Sequence, residues 1–325
     1  MSGGPVSADS MDAMSALDES ASFEEVAACR LCSGTDRTVR FREGRFSVVE
    51  CGGCGLVYVT PRLRSEALPE VYGDTYWRSD SPKDRGYADY VADEALYLRT
   101  YEKRLRLVER FASAPGRALD VGCAAGYFLK VLGSRGWQVA GVELSPAIAR
   151  HAREVYGIED LHVGELATAP FEERSFDLVT FWDVVEHVPD PVALLRRGLE
   201  LLKDDGYIVI ETQNVASRFA GLLGHRWQHY KHLEHLYHFS PATLRLLLDQ
   251  AGLEAVHQTA RYAGKHVSVD FIRERATRLH PVMGTLLAPL APLKGVQLYV
   301  NLFDELIVIA RKAPMREDRS SSGPG

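Results

Sequence analysis

From Arg117 to Ala310 the chain alternates short apolar runs with helical stretches, and few architectures accommodate that alternation. The runs are Ala118–Val121, Trp137–Leu144, Leu161–Gly164, Phe176–Phe181, Tyr207–Thr212, Ala255–Ala260 and Glu305–Ala310. Apolar runs joined by helices are the signature of a parallel sheet covered on both faces. The expected fold class is therefore α/β: a Rossmann-like sheet of seven mostly parallel strands with helices on both faces. Residues 263–304, between the last two runs, are too many for a structureless loop in a compact domain and are expected to form a helical lid.

The flanks differ in composition. Residues 1–25 are rich in Met, Ser, Asp and Ala with no hydrophobic period, and residues 313–325 look alike, so both are expected to be disordered tails. Residues 26–64 read as short strands and turns around cysteines. Residues 65–113 read as a helical connecting or lid segment with many aromatic side chains, and 114–312 as the α/β unit. At 46% hydrophobic and 25% charged residues the 325-residue chain has a globular composition. No apolar stretch reaches the roughly 20 residues of a membrane span, and the acidic start lacks a signal peptide's basic and apolar regions, so no membrane partner and a cytoplasmic location are expected. A net charge of −6 gives no global attraction to nucleic acid.

Four of the five cysteines form two pairs, Cys29-x2-Cys32 and Cys51-x2-Cys54. In a chain of this size and expected compartment such pairs more often bind metal than form disulfides. Four thiolates suit tetrahedral zinc at a closed structural site, so a zinc ribbon ligated by Cys29, Cys32, Cys51 and Cys54 is expected at 26–64. Between Cys29 and Arg64 seven arginines stand against three carboxylates, a weak positive bias once the thiolates and zinc are counted.

The first apolar run leads into Asp120-Val-Gly122-Cys123-Ala124-Ala-Gly126, with a helix expected from Tyr127 and Phe128. A glycine loop at this junction lets a ligand lie against the backbone. A dinucleotide fingerprint starting at Gly122 would require glycines at 124 and 127, where this chain has Ala124 and Tyr127. The segment resembles the first motif of class I S-adenosylmethionine-dependent methyltransferases, Asp/Glu-x-Gly-x-Gly-x-Gly, with Ala124 replacing the middle glycine. The resemblance continues in order through Glu143-Leu144 at the end of the second run, Gly164-Glu165-Leu166 after the third, and Trp182-Asp183-Val-Val-Glu186-His187-Val-Pro189 after the fourth. It implies S-adenosylmethionine as cofactor, held by Asp120, Gly122, Cys123, Ala124, Gly126, Tyr127, Phe128, Glu143, Leu144, Glu165, Trp182, Asp183 and His187. Within it, Glu143 would accept from the ribose hydroxyls and Glu165 would lie near the adenine.

Methyl transfer to a hydroxyl or carbon acid also requires loss of a proton, and histidine is the usual base near neutral pH. Five of the eleven histidines fall within 225–238, and Glu234 to Ser240 resembles a family run, Glu-His-Leu-Tyr-x-Phe-Ser. The candidate bases are His235, then His232 and His187. A structural histidine cluster and a second metal site at these residues are the competing readings. The layout of zinc module plus methyltransferase domain resembles bacterial enzymes that modify sugars and secondary metabolites. It implies transfer to a small-molecule acceptor, oxygen before carbon or nitrogen. An RNA methyltransferase guided by the ribbon and a non-catalytic binding protein are the alternatives.

Overall fold

The structure is a computed structural model, and it describes residues 22–67, 77, 90–279, 281–293 and 295–314. The two expected tails fall mostly outside these residues, as does much of the expected connecting segment. Near the N-terminus lie β1 (Phe23–Glu24), β2 (Arg37–Glu43), β3 (Phe46–Cys51), β4 (Val57–Thr60) and β5 (Arg62–Leu63). Next come β6 (Arg117–Val121), β7 (Gln138–Glu143), β8 (Leu161–Val163), β9 (Phe176–Trp182) and β10 (Leu202–Gln213). The chain continues with β11 (Tyr237–His238), β12 (Leu253–Thr259), β13 (Lys265–Ser268), β14 (Gln297–Val300) and β15 (Glu305–Lys312).

The seven runs form one sheet in the order β12-β15-β10-β9-β6-β7-β8. β15 alone runs against its neighbours, antiparallel to both β10 and β12, while the other neighbouring pairs are parallel. Successive side chains on a strand point to opposite faces, so a run apolar at every position feeds two cores. Leu119, Val179, Ile208, Ile210 and Val308 enter one hydrophobic cluster, while Ala118, Leu178, Val209, Ile307 and Ile309 enter another on the opposite face. The helix Pro241–Ala251 lays Leu244, Leu247, Leu248 and Ala251 on the first core, the i, i+3, i+4, i+7 stripe of an amphipathic helix. Each such leucine contributes roughly 1.5–3 kcal/mol by burial. Ser240 and Thr243 close a capping box at its start, which satisfies amides that would otherwise lack partners.

β6, β7, β9 and β10 run parallel, so their carboxyl ends share one edge, and the strand order reverses between β6 and β9, the kind of place at which open α/β sheets hold ligands. β10 begins at Leu202, ahead of the apolar run, because its ladder with β9 resumes after a register shift between Leu202 and Tyr207. Polar Lys203-Asp-Asp is carried across that shift, with Lys203 Nζ bound to Asp177 at 2.8 Å.

One expectation about the accessory parts changes. The 263–304 insertion is not helical throughout: its helices, Val269–Leu279 and Pro281–Leu286, rise from the antiparallel pair β13–β14. Val267, Tyr299 and Val300 are in that pair, and β-branched and aromatic residues favour a pleated surface over a helix. The cysteine module joins the α/β unit. Its sheet has the order β11-β4-β3-β2, so Tyr237–His238 from the histidine-rich segment adds a strand to it. Leu31, Val49, Leu56 and Tyr58 share the hydrophobic cluster of the large sheet, so the module folds against the catalytic-type core. Among the described residues no helix is long and apolar enough to cross a membrane.

Candidate active site

The loop after β6 reverses direction through left-handed backbone at Gly122 (φ +72°), Ala124 (φ +49°) and Gly126 (φ +79°). A Cβ on Gly122 would lie 2.7 Å from Val184 Cγ2, and one on Gly126 would lie 2.4 Å from Ile158 Cδ1, so both positions need glycine for space as well as for φ. Ala124 takes the same kind of conformation with a methyl attached, which costs on the order of 1–2 kcal/mol. That strain is held by a bond: the Ala124 amide donates to Glu143 Oε2 at 3.0 Å, and the Ser145 amide donates to Oε1 at 2.8 Å. Glu143 therefore sits at the carboxyl end of β7, facing the loop, with one amide on each oxygen and further lone pairs available to hydroxyl donors. Burial pushes its carboxyl up to about 6, against the pull of those amides. Asp120 is buried beneath the loop, accepts from Thr180 Oγ1 at 2.6 Å, and is pushed up to about 7 by burial, with the charge of Glu143 adding to the shift.

The other expected cofactor residues divide by orientation. Tyr127 opens the next helix and stacks with Tyr90 and Tyr97 beside Ala124 and Ala125. Cys123 and Phe128 turn away into the cores, Cys123 with Leu129 and Ile158, Phe128 against Trp182 and Tyr101. Only their main chain is left to line the loop. Leu144 and Glu165 are exposed at the ends of β7 and β8. Trp182 ends β9 with its indole Nε1 buried and unpartnered among the described residues. Asp183 follows in left-handed backbone (φ +53°).

Beyond the carboxyl end of β9 the structure brings His187 and His235 together, ring centroids 4.7 Å apart and nearly perpendicular. The amides of Leu236 and Tyr237 donate to the Glu186 carbonyl, at 2.8 and 3.3 Å, and this fixes the two segments against each other. Burial drives both rings toward the neutral form, His235 most strongly. The His235 Nδ1 lies 2.7 Å from the His229 carbonyl and must donate to it, so the neutral ring carries its lone pair on Nε2. His232 does not join them. Its Nε2 pairs with Glu43 of β2 at 3.0 Å and its ring packs on Phe46. The segment is not helical, so three-residue spacing does not put its histidines on one face.

Sequence reasoning missed the charged groups at this edge of the sheet. Arg104, from the helix Glu94–Val108, meets Glu211 near the end of β10 at 2.6 Å, and both side chains are almost wholly buried. Lys265 Nζ, from β13, lies 2.7 Å from Glu305 Oε1 and 3.3 Å from Asp183 Oδ2. Glu186, at 1% exposure, accepts from Thr212 Oγ1 at 2.9 Å. Glu211 and Thr212 could have been noticed as polar residues ending an apolar run; nothing in the sequence marks Arg104 or Lys265 as their neighbours.

The four module cysteines also converge. Their sulfurs all lie within 4.8 Å of one another, with Cys29–Cys54 at 3.5 Å and Cys32–Cys51 at 3.4 Å. Four sulfurs about 2.3 Å from one zinc would be about 3.8 Å apart, so the donor set and its spacing fit a tetrahedral ion. The module reaches the site directly. Val59 donates to the Leu236 carbonyl at 3.0 Å, and Arg62 donates to the Tyr237 hydroxyl, which donates to the Pro189 carbonyl. Both histidine-bearing segments are thereby braced from one side.

Residues 93–258 match the family profile described as a methyltransferase domain. The chain is 32% identical over 202 residues to a ubiquinone biosynthesis O-methyltransferase of Xanthomonas euvesicatoria, covering 55% of this chain and 75% of that protein. It is 32% identical over 168 residues to the protein of the same name from Xanthomonas axonopodis, where the match covers 45% of this chain and 65% of that one. Among solved structures, a chain from the complex of the Haloferax volcanii Trm112 methyltransferase activator with a methyltransferase is similar in fold, with a TM-score of 0.51 and 18% identity. That likeness covers 70% of this chain and 95% of the other.

Proposed function

Because this chain belongs to the class I S-adenosylmethionine-dependent methyltransferase family, we propose that it methylates an oxygen of a small-molecule acceptor, held between the Gly122–Gly126 loop and His235. The observation that carries this reading is that two sets of groups gather beyond the carboxyl ends of the strands: the loop with Glu143, held by the Ala124 and Ser145 amides, and the His187–His235 pair after β9. The cofactor supplies an electrophilic methyl group. The chain's residues supply alignment, which can be worth several kcal/mol, and a place for the proton of an acceptor hydroxyl. The similarity to proteins named O-methyltransferases supports oxygen as the acceptor atom. The four-thiolate cluster suits a structural zinc whose role is to hold the module that braces the histidine segments.

On this reading Glu143 accepts from both ribose hydroxyls, Trp182 and Asp183 flank the donor, and Tyr127 and Glu165 contribute at its ends. Calorimetry with S-adenosylhomocysteine tests it. Glu143→Ala should weaken binding by about 1–3 kcal/mol, the cost of removing a charged hydrogen-bond partner. Binding to the unaltered protein should also weaken as the pH falls below about 6, where this carboxyl takes up its proton. Affinity for NAD above that for S-adenosylhomocysteine would overturn the reading.

A further inference from the structure

We infer that the surface formed by residues 286–303 and the exposed cations of the helix Glu94–Val108 docks on an anionic lipid membrane, lying on the bilayer without spanning it. The apolar part of this surface falls beyond residues 93–258, which match the methyltransferase profile, and the methyl-transfer reading makes no use of it.

The segment between Lys265 and Glu305 is folded but has no core of its own. The Val269 amide donates to the Val296 carbonyl at 3.0 Å, and Arg273 Nε donates to the Leu287 carbonyl at 3.1 Å. Yet among the described residues from 270 to 303 none is buried. Leu286, Leu293, Val296, Leu298, Leu302 and Phe303 are exposed, from 42% at Leu302 to 64% at Leu286. Single exposed apolar residues are ordinary, whereas such a concentration in one short segment marks an interaction surface. The loop that ends the segment is pinned. Asn301 Nδ2 donates to the Ala260 carbonyl at 2.8 Å, and its Oδ1 accepts from the Phe303 amide at 2.8 Å. Phe303 is thereby held in left-handed backbone (φ +56°) with its ring exposed, a conformation that costs a bulky residue energy and that the loop must maintain.

Charge decides what covers this surface. Residues 261–303 carry six Lys and Arg against Asp270 and Glu274, a net +4 in a chain whose total is −6, so the rest of the chain carries −10. Lys265 turns inward to Asp183 and Glu305, and the other cations still outnumber the two carboxylates. The helix Glu94–Val108 adds to the surplus. Arg99 and Arg106 are exposed on it, and Lys103 Nζ stands 3.2 Å from the centroid of the Tyr299 ring, next to Leu298 in β14. Arg106 and Arg261 act on Lys103, and Lys103 and Arg99 act on His266, so these cations share one patch, with Glu102 facing it. A second copy would meet this surface with the same surface across a two-fold axis, positive charge against positive charge. An anionic bilayer meets it with opposite charge while its headgroup region takes up the apolar side chains. The 11-residue helix Val269–Leu279 is about 16 Å long, short of the roughly 30 Å hydrocarbon core, so the segment lies on the bilayer. The expectation of no membrane partner came from the lack of a spanning stretch, which a surface-bound segment does not need.

The test is flotation of the full chain with vesicles of equal phosphatidylglycerol and phosphatidylcholine, beside vesicles of phosphatidylcholine alone. The unaltered protein should float with the anionic vesicles at about 0.1 M salt, and its affinity should fall at about 1 M, where surface charge is screened. Replacing Arg99, Arg106 and Arg261 together by Gln should weaken binding by roughly 100-fold. Leu302→Ser with Phe303→Asn should weaken it at least about 10-fold, and asparagine accepts the left-handed backbone at 303. All five side chains are exposed, and an unchanged urea midpoint shows that each variant is folded. Should the Leu302–Phe303 variant unfold, the arginine variant decides alone. Binding no stronger to anionic than to neutral vesicles, or binding unchanged in the folded variants, would overturn the inference. So would a concentration-dependent dimer that Leu302→Ser with Phe303→Asn dissociates, since the face would then belong to a second copy.

Discussion

Replacing His235 by alanine should lower turnover by about 10²- to 10⁴-fold while leaving the affinity for S-adenosylhomocysteine nearly unchanged. The reason is positional. Glu143 and the Gly122–Gly126 loop are held by bonds among themselves, through the amides of Ala124 and Ser145, and none of these bonds runs through the histidine pair. His235 touches the His229 carbonyl and the His187 ring instead. On the proposed reading its loss removes an interaction made with the acceptor and not with the cofactor, so the deficit should appear in turnover. His187→Ala should behave similarly. His232→Ala should not, because that ring is committed to Glu43 and Phe46 of the cysteine module. Single-turnover rates and calorimetry on the same preparations decide the matter. A fall in donor affinity in proportion to the rate would return His235 to a structural role.

The second large effect concerns stability. Arg104→Met should cost about 3–5 kcal/mol, because it strands the Glu211 carboxylate in a site with no exposure and, among the described residues, no other cation at ion-pair distance. Burial already pushes Glu211 well above the ordinary carboxylate range against the pull of Arg104. Replacing both residues together, by Met at 104 and Leu at 211, should recover most of the loss. Buried pairs are often matched by apolar residues of similar volume, because the attraction between the charges mainly offsets their desolvation. Urea unfolding of the two variants against the parent checks this. Equal destabilisation by the single and the double change would mean that the pair contributes through packing alone.

These two cases mark what sequence could and could not provide. The sheet could be read because burial on both faces writes itself as uninterrupted apolar runs, and because helices between runs dictate parallel strands. The two cysteine pairs could be read because each is a local spacing tied to a local geometry, and the Asp120 loop and Glu143 because they resemble the motifs of a known family. The Arg104–Glu211 contact joins residues 107 positions apart and leaves no local pattern. The same holds for β11, where two residues with no period of their own complete the sheet of a module that begins the chain. That pairing also explains why His232 and His235, three residues apart, serve different neighbours. The chain there is extended or turning rather than helical, so one ring faces β2 and the other faces His187. The β13–β14 pair under the insertion was hidden for another reason: four-residue strands are shorter than the window in which an alternating pattern can be told from a helical one.

The claim on which the rest depends is that a methyl group passes from sulfur to an oxygen of a small molecule in this crevice. Single-turnover incubation of the zinc-equilibrated full chain with methyl-labelled S-adenosylmethionine tests it most directly, with hydroxylated metabolites, amines and total RNA as separate acceptors. Label is expected in a methyl ether of a hydroxylated metabolite, at a rate lowered about 10²- to 10⁴-fold by His235→Ala. Label recovered in RNA alone, or in no acceptor although the donor binds, would contradict it.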